Sequence, residues 1–209
     1  MTFLISEIIS AILQILVFTL IPFIVYLIIH KTSRGFLAYI GLVKTTKKAI
    51  LLSVAISFVF IAGTLVLVLT NENTKAVMTN PPSVTGKLHQ MGLSSITMLS
   101  LFIIACFKTS FAEEIFFRGF VAKRLMKRFG YLIGNITQSL IFAVLHLVLF
   151  AAMTNSSVGF LLYIFLISGI GAYLIGLVKE KYGEGSIIPG WIAHGLGNTI
   201  SYFIIAFVI

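Results

Sequence analysis

An all-α, polytopic membrane bundle of about six transmembrane helices is the fold class this sequence predicts, and three observations predict it. The 209 residues are 59% hydrophobic and 10% charged, with a mean hydropathy of +1.10, far from the composition of a soluble domain. Apolar runs of the ~20 residues that cross a bilayer as a helix recur along the whole length. The cations gather in alternate connections, as they do in multi-pass proteins.

Six segments have the required length, roughly 4–29, 49–70, 93–117, 136–153, 158–178 and 187–208. They use nearly all of the chain, so residues 1–209 read as a single integral membrane domain. Two N-terminal helices and an outer loop occupy 1–92, and a core of the last four helices occupies 93–209. The opening Met1-Thr-Phe-Leu-Ile-Ser-Glu7 lacks the basic region of a signal peptide, and its apolar run is long enough to span, so a retained first helix is expected. Segments two and three are separated by the polar stretch Asn71–Gly92, in which Pro81-Pro82 signals a turn. Segment three continues as the basic, amphipathic stretch Ala122–Phe129 and stops at Gly130, a natural helix end. The chain returns through Tyr131–Ser139 into segment four. Segment five carries Ser168, Ala172 and Gly176 at four-residue spacing, a small-residue face suited to helix packing. Segment six opens with Ser186-Ile-Ile-Pro-Gly-Trp191.

Charge orients the bundle. Lys31, Arg34, Lys44, Lys47 and Lys48 lie between segments one and two; Lys123, Arg124, Lys127 and Arg128 follow segment three; Lys179 and Lys181 follow segment five. The remaining connections hold Lys75 and Lys87, and Thr154–Val158 holds no cation. All basic loops therefore fall on one side, which is expected to be cytoplasmic in a multi-pass protein of the cell membrane, with both termini outside. Membrane orientation accounts for the net charge of +9, and nucleic acid is not expected as a partner. The single cysteine, Cys106, excludes an internal disulfide and a multi-cysteine metal cluster.

The chemistry concentrates in one place. Of six acidic residues, Glu113 and Glu114 sit adjacent in the apolar run Phe111-Ala-Glu-Glu-Ile-Phe-Phe-Arg-Gly-Phe120, with Arg118 four residues after Glu114. Carboxylates in a membrane helix are costly and mark functional sites. In the hairpin of segments three and four, Glu113 and His146 lie about equally far from the turn, on the order of 20–25 Å at ~1.5 Å per residue. They should share one depth. His194 and Asn198, four apart on segment six, share a face with Gly190 and lie roughly 10 Å into their helix. Glu113, Glu114, His146, His194 and Asn198 are thus expected to converge on one pocket facing the cytoplasm. Lys108, the one cation deep in an apolar run, either snorkels, pairs with a glutamate, or marks an earlier end to segment three. His30 and His89 lie in or beside loops and receive no role.

Three motifs carry a family resemblance. Glu113-Glu-x-x-x-Arg118, Phe142-x-x-x-His146 and His194-x-x-x-Asn198 resemble, in order and spacing, those of the CPBP intramembrane proteases. That family includes type II CAAX prenyl endopeptidases and Abi bacteriocin-immunity proteins. The resemblance implies an endopeptidase that hydrolyses a peptide bond of a membrane-associated peptide or protein near the cytoplasmic face. Its partners would be the lipid bilayer and a substrate that is prenylated or is a bacteriocin precursor, and its role peptide maturation or self-immunity. Glu113 and His146 would activate water, with the carboxylate made more basic by its apolar surroundings. His194 and Asn198 would donate to the oxyanion. Glu114 and Arg118 would pair and orient the site beside Phe142, although the roles of Glu113 and Glu114 are exchangeable at this stage. Glu113, His146 and His194 also match a catalytic zinc set in ligand type, so a Zn2+ metalloprotease and a metal-free, glutamate-activated water both remain open. The alternatives are a non-enzymatic immunity or partner-binding protein that keeps the motifs as structure, and a small transporter with a proton relay.

Overall fold

A computed structural model describes residues 1–153 and 157–209; the expected short connection at Thr154–Val158 falls mostly outside the described residues. The described residues are helical, without strands. Helix α1 runs over Thr2–His30, the four-residue turn α2 over Phe36–Tyr39 and α3 over Lys47–Thr70. Two short helices, α4 (Glu72–Thr79) and α5 (Val84–Met91), follow. The core comprises α6 (Ser95–Phe129), α7 (Tyr131–Met153), α8 (Val158–Lys181) and α9 (Ile188–Phe207).

Five helices (α1, α3, α6, α7 and α8) are long and apolar enough to cross a membrane. Of the six expected, α9 forms with the anticipated bounds and has spanning length at 20 residues, but it falls short in apolarity. Its inward face carries Gly190, His194, Gly197 and Asn198, and those residues dilute the hydrophobic run. Helix α1 is peripheral, with 11% of its central window buried, whereas the window of α6 is 39% buried. Exposed Ile12, Leu16 and Leu20 on α1 are suited to lipid contact.

Local chemistry explains the boundaries. Thr46 caps α3 by accepting from the Ala49 amide, and Asn71, Ser83, Ser94 and Ser157 cap the helices after them in the same way. The polar stretch Asn71–Gly92 is the helical hairpin α4–α5, turning at Pro81-Pro82 as expected. Helix α6 continues to Phe129 and ends at Gly130, whose φ of +78° suits a residue without a Cβ. Helix α7 begins at once with Tyr131, so the expected return through Tyr131–Ser139 is already helical. The Ser168–Ala172–Gly176 stripe borders α7: the Ala172 carbonyl accepts from Gln138 Nε2, and a Cβ on Gly176 would lie 2.1 Å from Asn135 Oδ1.

One feature of α6 has no counterpart in the sequence reading. Over Ile103–Phe111 and Glu114–Ala122 the helix widens to π geometry, leaving Ala112 and Glu113 between the two stretches. Such widening recurs at functional sites.

The two ends of the bundle differ. At one end the three basic connections interlock: Ile187 N donates to Gly41 O at 2.8 Å, Ser186 Oγ to Val43 O at 2.7 Å and Lys123 Nζ to Ala38 O and Tyr39 O at 3.1 Å. At the other, Phe3 and α5 pack beside Ala206, and the His89 ring hydrogen-bonds the Ala206 carbonyl at 2.8 Å. Both termini lie at this second end.

Candidate active site

Helices α6, α7 and α9 bring the expected residues together. Glu113, Arg118, Phe142, His146, His194 and Asn198 all line one cavity of about 410 Å³. The adjacent glutamates part company there. Glu113 lines the cavity, whereas Glu114 is fully buried behind the wall, with its Oε1 3.2 Å from Arg118 Nη1 and 3.5 Å from His194 Nδ1. A Cβ on Gly190 would sit 2.2 Å from Glu114 Oε2, so only glycine admits the carboxylate between α6 and α9. Arg118 stacks its guanidinium 4.2 Å from the Phe142 ring centre, and Phe142 packs against both the His146 ring at 4.2 Å and the His194 ring at 6.3 Å.

Hydrogen-bond logic sets the state of each histidine. His146 Nδ1 lies 2.9 Å from the Phe142 carbonyl, which can only accept; Nδ1 therefore carries the proton, and Nε2 of the neutral ring offers its lone pair. His194 stands between the two carboxylates, with Nδ1 towards Glu114 and Nε2 4.0 Å from Glu113 Oε2. Glu113 Oε2 is buried with no hydrogen-bond partner among the described residues. Both Glu114 oxygens and His194 Nδ1 are likewise without one, so charge pairing and not hydrogen bonding holds this cluster together.

Asn198 lines the cavity and also reaches α6. Its Nδ2 is taken by Thr109 Oγ1 at 3.2 Å and Ser110 Oγ at 3.5 Å, residues of the first π stretch that the sequence did not single out. Their only sequence signal is position: they precede Glu113 by about one turn of α6.

The pocket's direction is also corrected. Its wall runs from the site along Phe60, Thr64 and Leu67 of α3 to Met78, Pro82 and Thr85 around the α4–α5 hairpin. Among the described residues, none of the lining comes from the three basic connections. A pocket facing that end was expected, but the connections seal it. Ile40 is packed so closely that a Cβ on Gly119 would lie 2.4 Å from its carbonyl oxygen, and Ile187 and Lys179 are fully buried. Lys108 pairs with Glu7 of α1 at 2.7 Å, which selects one of its three alternatives.

Glu113 and His194 of the expected zinc set lie further apart than ligands of that ion do. Among the described residues, no three His, Cys, Asp or Glu side chains are grouped to hold a metal ion. The 4.0 Å between Glu113 Oε2 and His194 Nε2 also exceeds the separation of about 3.3 Å that two ligands of tetrahedral zinc require. The donors as arranged do not fit the ion.

The fold is that of a polytopic helical membrane protein, with ionisable residues of three helices gathered at one cavity. The chain belongs to the family described as Type II CAAX prenyl endopeptidase Rce1-like, which it matches over residues 95–200, a stretch that contains all three motifs. No curated protein and no solved structure matches the chain.

Proposed function

We propose that the protein is a glutamate-type intramembrane endopeptidase in which Glu113 and His146 activate the attacking water. The observation that supports this most is the separation of the glutamates: one carboxylate lines the cavity with His146, while its neighbour is neutralised behind the wall by Arg118. His146 Nε2 accepts one hydrogen bond from the water and Glu113 removes the other proton. The hydroxide adds to the scissile carbonyl carbon. His194, held with Nδ1 3.5 Å from Glu114 Oε1, gives Nε2–H to the developing oxyanion. Glu113 then passes its proton to the leaving nitrogen as the C–N bond breaks, restoring the carboxylate.

The cavity wall away from this cluster is apolar, with Phe60, Leu67, Leu149, Phe150 and Ile164. It suits a membrane-associated peptide; prenylated C-terminal peptides and bacteriocin precursors are the substrates assigned, serving maturation or self-protection. The positive-inside rule supports an orientation with the basic end towards the cytoplasm and both termini and the α4–α5 hairpin outside.

The test is cleavage in proteoliposomes of quenched-fluorescent apolar peptides, with and without a farnesylated C-terminal cysteine. Wild type should cleave, Glu113→Gln and His146→Ala should not, and a strong chelator should leave the rate unchanged. Full activity in Glu113→Gln would remove the catalytic assignment, and a chelator-abolished rate would replace the metal-free route. If nothing is cleaved while the variants still confer wild-type bacteriocin resistance, a non-enzymatic immunity role takes its place.

A further inference from the structure

We infer that Phe60, seated on Gly171, is a specificity-determining residue: its ring bounds the subsite for the substrate side chain beside the scissile bond and sets the size accepted there. The inference rests on the endopeptidase reading and deepens it.

Three contacts set α3 against α8 along the cavity. A Cβ added to Gly171 would lie 3.2 Å from Phe60 Cζ and 3.4 Å from Cε1, so the ring rests on the bare backbone of α8. About one turn outward, a Cβ on Gly63 would come 3.7 Å from Ile167 Cδ1, and Tyr163 donates its hydroxyl to Thr64 Oγ1 at 3.5 Å. The helices thus run antiparallel and form one continuous wall, with glycine permitting the close approach. Phe60, Thr64 and Gly171 all line the cavity.

Depth places the ring at the reacting end of that wall. Gly171 precedes Ala172, which packs with Phe142, and the Phe142 ring lies 4.2 Å from that of His146. Leu67, seven residues further along α3, is roughly 10 Å closer to the hairpin at ~1.5 Å per residue. Leu67 and Met78 meet parts of a peptide remote from the bond that breaks, whereas Phe60 meets a side chain next to it. Phe60 offers only hydrocarbon, so that side chain is apolar and is selected by volume. Helix backbone lies behind the ring, which therefore has no room to retreat from a larger group. Gly171 falls within the matched stretch 95–200 and Phe60 before it, so the family match does not cover the residue that selects.

The experiment measures proteoliposome cleavage of one quenched peptide series with Ala, Val, Leu or Phe at each position flanking the scissile bond. Wild type, Phe60→Ala, Phe60→Leu, Gly171→Ala and the double variant Phe60→Ala/Gly171→Ala are compared, each with its unfolding midpoint. At one flanking position, Phe60→Ala should raise the kcat/KM ratio of the Phe peptide over the Val peptide by about 10-fold or more, the discrimination an apolar pocket draws from small volume changes. Phe60→Leu should shift the ratio the same way by less, and decides the matter if the alanine variant does not fold. Gly171→Ala should lower the ratio by pushing the ring into the cavity. The double variant should match Phe60→Ala, because the added methyl acts only through the ring. Unchanged ratios in the folded Phe60 variants, or one loss common to every peptide, would overturn the inference and leave the endopeptidase standing. If wild type cleaves nothing, binding of the same peptides separates the two readings. A size preference in binding that moves with Phe60 retains the subsite and removes the protease; a preference that does not move, or no binding at all, removes the inference.

Discussion

The two ends of this bundle are built on opposite plans, and the adjacent glutamates mark the border between them. Towards the basic end, charge is buried and paired: Glu114 and Arg118 are almost inaccessible, Lys179 contacts Glu180, and the connections above them exchange backbone hydrogen bonds. Towards the other end, Glu113 and the two histidines front a cavity whose far wall is two short helices. A one-residue step along α6 separates a buried, paired carboxylate from one that lines the cavity. The lesson is that an ionisable residue in a membrane helix acquires its role from what lies across from it. Gly190 opposite Glu114 leaves room for an ion pair and nothing else, whereas Glu113 faces open volume.

Substitutions can break this comparison in graded steps. Arg118→Met should have the largest effect on stability, because it leaves Glu114 buried without compensation. A loss of about 3–5 kcal/mol is expected, read as a lower unfolding midpoint in detergent. Replacing both members of the pair by apolar residues should recover much of that loss while leaving His194 without its anchor, so stability returns and cleavage does not. Gly190→Ala comes next. Its methyl would meet Glu114 Oε2 at 2.2 Å and Ile175 Cγ2 at 2.6 Å, and about 1–3 kcal/mol of overpacking is expected together with a fall in activity. The smallest effect is assigned to the Lys108–Glu7 pair, which is partly accessible and does not line the cavity. Lys108→Met should change stability by about 1 kcal/mol or less and leave kcat intact, as measured by the same unfolding and cleavage assays. A large activity loss in that variant would show that α1 and the π stretch beside Thr109 are coupled to the site.

Much of this arrangement was legible in the sequence, for identifiable reasons. Helix lengths follow from hydropathy, the stop at Gly130 from its backbone freedom, and the meeting of Glu113 with His146 from equal distances to one turn. His194 and Asn198 share a face because helical periodicity puts them there. What stayed hidden depends on tertiary contact. Closure of the basic end rests on backbone bonds such as Ile187 to Gly41, which have no side-chain signature, so charge alone does not reveal that the cavity extends towards the α4–α5 hairpin. The widening of α6 has no propensity signal, and with it went the contacts of Thr109 and Ser110 with Asn198. The partner of Lys108 lies a hundred residues earlier, beyond any local pattern. The shortfall of α9 in apolarity arises because its cavity-lining face and the spanning segment are the same residues.

The division between the two glutamates is the central claim, and paired kinetics with stability tests it most directly. Glu113→Gln and Glu114→Gln are to be compared with wild type in proteoliposome cleavage and in thermal unfolding. Glu113→Gln should lose about 10²–10⁴-fold in kcat, the contribution of a general base, at an unchanged unfolding midpoint. Glu114→Gln should lower the midpoint, with its activity falling only as far as His194 is displaced. Unimpaired cleavage by Glu113→Gln, with the catalytic loss appearing in a stably folded Glu114→Gln, would contradict the account and exchange the two roles.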